Sequence, residues 1–348
     1  MTLSDEDWII KHKKHCLGLT LDKDFVKKKV INVKKTLDKL YHESNKKKSD
    51  IDFNIKNIII EKLKKRLLNS KEISLLCSGG EDSIYLLMIL VKELNIKPKL
   101  ICYKTKNNLS DVRRLEFISN NLNLDLYLYD KTNLDRYTSY DKFCISQGRP
   151  PNDIAQPVHN ALYVIAKEIH KSDIVIDGQF CDTVLLSNPQ NLFLLWIEKV
   201  PFIFKSLIKL SNYLPLDKNK IFKSRLKKLT NLLDYPNSVE RIFKLINLEN
   251  FDDELIKYTE NLIKQYGVQL TFTIYFFFCL IELRERDKYL LCPDLFSPFD
   301  DFKFAILANA NIDQVLSLFI RKKPIRNLCR KYFSKLFRFQ NTLPFEIE

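Results

Sequence analysis

The stretch Ser78-Gly79-Gly80-Glu81-Asp82-Ser83 has the residue types and spacing to hold a phosphate-bearing ligand. The chain has only six glycines in 348 residues, where average usage of about 7% gives roughly two dozen. A chain so poor in glycine keeps it where positive φ or close backbone approach excludes other residues. Gly79 and Gly80 are adjacent, follow the apolar run Ile73 to Cys77 and precede a helical stretch from Ile84. Such a junction offers backbone N–H groups and a helix N-terminus, which together favour an anion. Ser78 and Ser83 add hydroxyls on either side. No G-K-[ST] is present, so this is not a Walker loop, and the third glycine of a dinucleotide fingerprint is missing. Asp82 inside an anion cradle repels phosphate unless it holds a Mg²⁺ that bridges to the phosphates. The plainer alternative is a strand-to-helix turn built on Gly-Gly. A second constellation, Asp177-Gly178-Gln179-Phe180-Cys181-Asp182, again sets a glycine just after an apolar run. If both runs are strands of one parallel sheet, their ends gather at one edge, and Asp82 and Asp182 face the same Mg²⁺-pyrophosphate. The alternative there is an ordinary strand-exit turn with a solvated Asp182.

The elements that must position these residues are legible as alternating short apolar runs and helical periods. Strands are expected at Ile73 to Cys77, Lys99 to Tyr103, Leu124 to Tyr129 and Ile174 to Ile176. Helices are expected at Ile84 to Leu94, Val112 to Asn121 and Ala161 to His170. This alternation predicts an α/β fold with a doubly wound parallel sheet, whose ligands sit at the carboxyl ends of the strands. Residues 1–70 read as a Lys-rich helical region, with helical periodicity at Val30 to Leu40 and Ile55 to Leu68 and a polar loop at Asn45 to Asp50. Residues 71–190 form the α/β domain. Residues 191–348 read as mostly helical with few strand signals, punctuated by Pro201, Pro215 and Pro236. Gly148 to Pro157 is expected to be an active-site loop, with Arg149 as a carboxylate or phosphate contact.

The formal charge is +14, which fits a nucleotide or nucleic-acid partner. Lysine far outnumbers arginine, so a compositional bias explains much of that charge, and the basic face from Lys205 to Lys228 reads as a solvated helix face. Eight cysteines are spread singly with no C-x-x-C pair; they read as reduced residues in a cytoplasmic protein. His12, His15 and Cys16 lie close together but lack a second ligand pair for zinc. There is no signal-peptide pattern. The longest strongly apolar run, Thr271 to Leu283, is shorter than the ~20 residues of a membrane span and reads as a buried helix.

Ser-Gly-Gly-x-Asp-Ser after a strand resembles the pyrophosphate loop of the N-type ATP pyrophosphatases, which cleave ATP between the α and β phosphates. Within that superfamily the chain most resembles the synthetase domain of asparagine synthetases. Gly178-Gln179-Phe180-Cys181-Asp182-Thr183 falls where that family has Gly-Glu-Gly-Ala-Asp-Glu, and Pro298-Phe299-Asp300-Asp301 resembles its Pro-Phe-Leu-Asp, preceded by Arg286-Asp287-Lys288. A basic Lys323-Pro324-Ile325-Arg326 follows. The resemblance runs over about residues 70–345 and implies an adenine nucleotide alpha hydrolase-like fold. It implies that Ser78, Gly79, Gly80, Ser83 and Gly178 bind ATP, that Asp82 and Asp182 hold Mg²⁺, and that Asp82, Gln179 and Asp182 serve the chemistry. The strand Lys99 to Tyr103 would pass beside the adenosine, and Asp301 would be mainly structural.

The implied activity is an AMP- and pyrophosphate-forming ligase. It adenylates a small-molecule or peptide carboxylate for attack by ammonia or another amine. This sequence departs from the family at Gln179, where the family has a Glu thought to serve in the chemical step; an amide cannot act as a general base. The family's second Gly is Phe180 and its final Glu is Thr183. Its C-terminal Arg-x-Lys is matched nearest by Arg338-Phe339-Gln340, which lacks the amine, with Lys331 and Lys335 nearby. Thr2 follows Met1 where the glutamine-dependent enzymes carry a nucleophilic cysteine, so ammonia is expected from solution or a separate glutaminase. Two other readings stand beside this one. The first is a tRNA-modifying ATP pyrophosphatase, which the charge favours but which lacks an RNA-recognition signature and paired cysteines. The second is a catalytically degenerate nucleotide-binding relative, which Gln179 and Gln340 favour.

Overall fold

The computed structural model describes residues 23–44, 50–130, 156–199, 206, 232–248, 250–281, 292–316 and 322–332. Among the described residues two helices precede the sheet, α1 (Lys23–Ser44) and α2 (Ile51–Leu67). In α2, Ile51, Ile55, Ile59, Leu63 and Leu67 recur every fourth residue and are all buried. They form one apolar stripe, and each such side chain contributes about 1.5–3 kcal/mol of transfer free energy. Asp50 caps the helix, its Oδ1 accepting from the amides of Asp52 (3.0 Å) and Phe53 (3.3 Å).

Strand β1 (Ile73–Leu76) leads through α3 (Glu81–Met88) to β2 (Lys99–Tyr103), then through α4 (Leu109–Leu122) to β3 (Leu126–Tyr129). The chain returns through α5 (Gln156–Glu168) to β4 (Ile174–Ile176), followed by α6 (Cys181–Val184) and α7 (Pro189–Lys199). The strands form a five-stranded sheet in the order β3-β2-β1-β4-β5, and every pairing is parallel. Leu75 lies opposite Leu100 on one side and Ile176 on the other.

Both faces of the sheet are covered. Ile73, Leu75, Cys77, Leu100, Cys102, Ile174 and Ile176 pack with Ile84 and Leu87 of α3 and Val112, Leu115 and Ile118 of α4. The alternate residues Leu76, Ile101, Tyr103 and Val175 pack with Ala161, Leu162, Ile165 and Ala166 of α5. Burial on both faces is why these strands are continuous apolar runs. The order reverses between β1 and β4, the switch point at which open α/β sheets form a crevice beyond the strand ends.

The helix expected over Ile84 to Leu94 begins earlier, at Glu81, and gives way to a π-helical stretch at Ile89–Glu93. The C-terminal region is mostly helical, with α8 (Ser238–Leu245), α9 (Asp253–Tyr266), α10 (Val268–Tyr275), α11 (Lys303–Ala310), α12 (Ile312–Val315) and α13 (Lys323–Tyr332). It also supplies a strand that periodicity did not signal, β5 (Leu295–Phe296), which pairs with Val175 and Ile176 of β4. Helix α10 is buried at every residue and continues into a π-helical stretch at Phe276–Ile281. Among the described residues no helix is long and apolar enough to cross a membrane. The trio His12, His15 and Cys16, the basic face 205–228 apart from Ser206, the loop 148–155 with Arg149, and Arg338, Phe339 and Gln340 lie outside the described residues.

Candidate functional site

The loop leaving β1 is shaped by two glycines with different duties. Gly79 has φ +80°, and a Cβ there would lie 2.3 Å from the carbonyl oxygen of Asp111 in α4. No side chain fits that gap. Gly80 is the N-cap of α3 and brings no side-chain cap, so the first amides of that helix are left for other acceptors. The Gly80 amide donates to Ser78 Oγ (3.3 Å), while Ser83, nearly buried, donates its hydroxyl to Gly80 O (3.1 Å). Ser83 therefore braces the turn, and Ser78 is half-buried. Arg114 of α4 donates to Gly79 O (3.0 Å) and pairs with Asp111 (3.0 Å), holding the loop from outside.

The loop leaving β4 lies directly against the first. A Cβ on Gly178 would sit 3.2 Å from Asp82 Cβ and 3.3 Å from the Ser83 amide nitrogen. Asp177, buried, accepts from the Gln179 amide (3.2 Å), and Ser297 beyond β5 donates to Gln179 O (2.8 Å). Phe180 then adopts φ +68°, a left-handed conformation that costs a non-glycine residue about 1–2 kcal/mol. Its buried ring packs 5.9 Å from that of Phe277 in the π-helical stretch. This is the position where the resembled family has glycine, so ring burial replaces conformational freedom.

Asp82 and Asp182 meet on one cation, and that cation belongs to the protein. Lys322, immediately before α13, places its ammonium 2.7 Å from both carboxylate oxygens of Asp82 and 2.8 Å from Asp182 Oδ1. Lys322 is buried, with φ +52°. Burial acts to lower its pKa, but the Asp82 and Asp182 carboxylates outweigh it and hold the amine above the ordinary lysine range. Burial pushes the Asp82 carboxyl upward against the pull of Lys322. One turn along α13, Arg326 pairs with Glu81 (2.7 Å). Cys181, buried beside Asp82, is kept protonated, first by burial and then by that carboxylate.

Gln179 does not stand alone. Its Nε2 lies 2.7 Å from Nδ1 of His159, in the first turn of α5. The amide can only donate there, so in the neutral imidazole the proton is on Nε2. Gln179, the departure from the Glu of the resembled family, is thus half of an amide–imidazole pair.

The fold brings together Ser78, Gly79, Gly80, Asp82, Ser83, Gly178, Gln179 and Asp182 at the switch-point edge. Sequence reasoning missed Lys322, His159 and Arg114. Lys331, weighed as a substitute amine, instead lies over the Tyr332 ring (5.8 Å), and Lys323 donates to Asp313 O (2.8 Å). Asp301, just before α11, accepts from the Lys303 amide (2.9 Å) and pairs with Lys62 (3.5 Å).

Among the described residues no three His, Cys, Asp or Glu side chains cluster to hold a metal. Two carboxylates converging on one ammonium nevertheless suit Mg²⁺, which typically takes one or two carboxylates and completes its shell with phosphate oxygens and water. No protein-family model matches the chain, and no curated protein shows significant similarity to it.

Proposed function

We propose that the chain is an ATP-dependent, AMP- and pyrophosphate-forming ligase similar to the synthetase domain of asparagine synthetases. The observation that carries this reading is the meeting of Asp82 and Asp182, from the loops after β1 and β4, on a single cation beside an uncapped helix N-terminus. A plain strand-to-helix turn has no need of a second acidic loop facing the same point.

In this reading the amides that open α3 and the Ser78 hydroxyl bind pyrophosphate oxygens. Asp82 and Asp182 hold Mg²⁺, which when bound neutralises phosphate charge. A substrate carboxylate oxygen attacks the α-phosphorus, the bond to the bridging oxygen breaks, and pyrophosphate leaves. An amine then attacks the acyl carbon and AMP departs. Lys322 supplies the amine absent from Arg338-Phe339-Gln340 and stands ready to offset charge on the leaving group. Gln179 and His159 orient the acyl group by hydrogen bonds, since the amide takes up no proton. ATP–pyrophosphate exchange driven by a panel of carboxylic acids tests this. Failure of the wild-type protein to bind ATP would overturn it.

The Gln179–His159 pair also favours a second reading, a nucleotide-binding relative without catalysis. ATP binding with no pyrophosphate release for any acid or amine would establish it in place of the first.

A further inference from the structure

We infer that Lys322 is a place-holding cation: its ammonium occupies the position between Asp82 and Asp182 that a divalent metal takes, so that metal binds there only together with phosphate. The inference rests on the nucleotide-binding reading and concerns the order in which the site is filled. The ammonium straddles both Asp82 oxygens at 2.7 Å and reaches Asp182 at 2.8 Å, so the oxygens a metal needs are already engaged. Its side chain is 9% exposed, and a buried ammonium is held only where carboxylates replace its lost water. A metal arriving alone would bring two cations onto the same oxygens a few ångströms apart, and in a buried setting that repulsion is large. Phosphate oxygens arriving with the metal remove the repulsion, because they offer a second set of anions to whichever cation moves.

The surroundings suit such an exchange. Helix α13 is anchored without Lys322. Arg326 holds Glu81 (2.7 Å), Asn327 donates to Asp52 (2.8 Å) and Tyr332 donates to Glu93 (2.8 Å). The lysine stem can therefore swing while the helix stays docked. Lys322 also has a left-handed backbone, φ +52°, a conformation retained only where other contacts over-determine it. Glu81 and Asp111, the nearby acids, are each matched by an arginine. The pair Asp82–Asp182 faces one ammonium, which leaves an unmatched negative charge.

The test is Mn²⁺ binding to the full chain without nucleotide, read by electron paramagnetic resonance. Lys322→Gln should bind Mn²⁺ at least about tenfold more tightly than wild type, a modest figure for removing a unit charge in contact with the metal's own ligands. Adding Asp82→Asn to that variant should abolish the gain. A Lys322→Gln protein that binds Mn²⁺ no better than wild type overturns the inference. If the variant folds poorly, its circular dichroism and melting point should recover on adding Mn²⁺; no recovery overturns the inference equally. Parallel titration with a fluorescent ATP analogue separates the two ideas. Wild type that binds nucleotide, with a variant that gains no metal, sinks the place-holding role alone. A metal gain with no nucleotide binding supports Lys322 as occupant of the metal position but sinks both the ligase reading and the coupling of metal entry to phosphate.

Discussion

Replacing Gly79 by alanine should cost more than its backbone angle alone predicts, and a second glycine provides the comparison. Gly79 and Gly267 have nearly the same φ, +80° and +81°. At Gly79 a positive φ costs alanine about 1–2 kcal/mol; Gly267 combines its φ with ψ 167°, a region essentially confined to glycine, so it matches Gly79 in φ alone. At Gly267 the added carbon meets nothing within 4 Å, whereas at Gly79 it meets Asp111 O at 2.3 Å and Asp111 C at 2.8 Å. The first contact is about 1.2 Å short of a comfortable separation of ~3.5 Å. Asp111 cannot easily retreat, because it is buried and tied to Arg114, which itself holds Gly79 O. An overpacking cost of about 1–3 kcal/mol is therefore expected on top of the backbone term. Urea denaturation should show Gly79→Ala destabilised by about 2–5 kcal/mol, the backbone and overpacking costs together. The loop shift of roughly 1 Å should also cut nucleotide affinity or turnover about 100-fold, with Gly267→Ala near wild type in both. A loss no larger than the backbone cost alone, or full nucleotide binding by Gly79→Ala, would refute the steric argument.

Asp82→Asn should destabilise far more than Asp182→Asn, although both should abolish ATP–pyrophosphate exchange. Asp82 is the more buried partner of Lys322, and breaking such a pair costs about 3–5 kcal/mol. Asp182 has a half-exposed side chain and should cost about 1 kcal/mol or less in thermal melts. Gln179→Glu should change the amide–imidazole contact into a carboxylate–imidazole one. In the proposed reading pyrophosphate release at fixed pH should rise, because a carboxylate can take up a proton where the amide cannot; an unchanged rate counts against Gln179 facing the reacting group. Asp173 is held below its ordinary value of 3.8 by hydrogen bonds from the amides of Glu72 and Lys71. Its folded-state pKa is depressed, so its stabilisation is complete above the ordinary value of 3.8 and is lost as pH falls from there through the folded pKa. Asp173→Asn should flatten acid unfolding in that window, and an acid transition identical to wild type would refute it.

The readable parts of the fold were those set by burial on two faces. Lys99–Tyr103 and Ile174–Ile176 form strands over the residues their apolar runs mark, because a parallel strand covered above and below carries no polar alternation. The beginning of α3 was read three residues late, since Glu81 and Asp82 carry no apolar period yet supply its first turn. Leu295–Phe296 left no trace because a two-residue strand exists only through its partner β4. Glycine scarcity points to Gly79, which has no room for a Cβ, and to Gly178, where one would crowd Asp82 and Ser83. Lys322 was invisible for a different reason. It meets Asp82 across 240 residues of chain, and nothing in a run of basic residues distinguishes the one that turns inward from those that stay solvated. His159 was hidden likewise, as one polar residue at the start of a helix whose pairing depends on the sheet edge. Phe180 was legible as a departure from glycine, though not as a residue that keeps glycine's backbone angle.

That same separation sets an order of events during synthesis. A ribosome adding about 5–20 residues per second releases Asp82 and Asp182 well before Lys322, the longer wait being roughly 10–50 s. Until Lys322 and α13 emerge, a nascent sheet would hold two facing acids with no counter-charge from Lys322, and solvent cations must serve in the interim. The magnesium content of a cell-free translation mixture should therefore govern how much newly made chain matures, whatever the protein's later need for the metal.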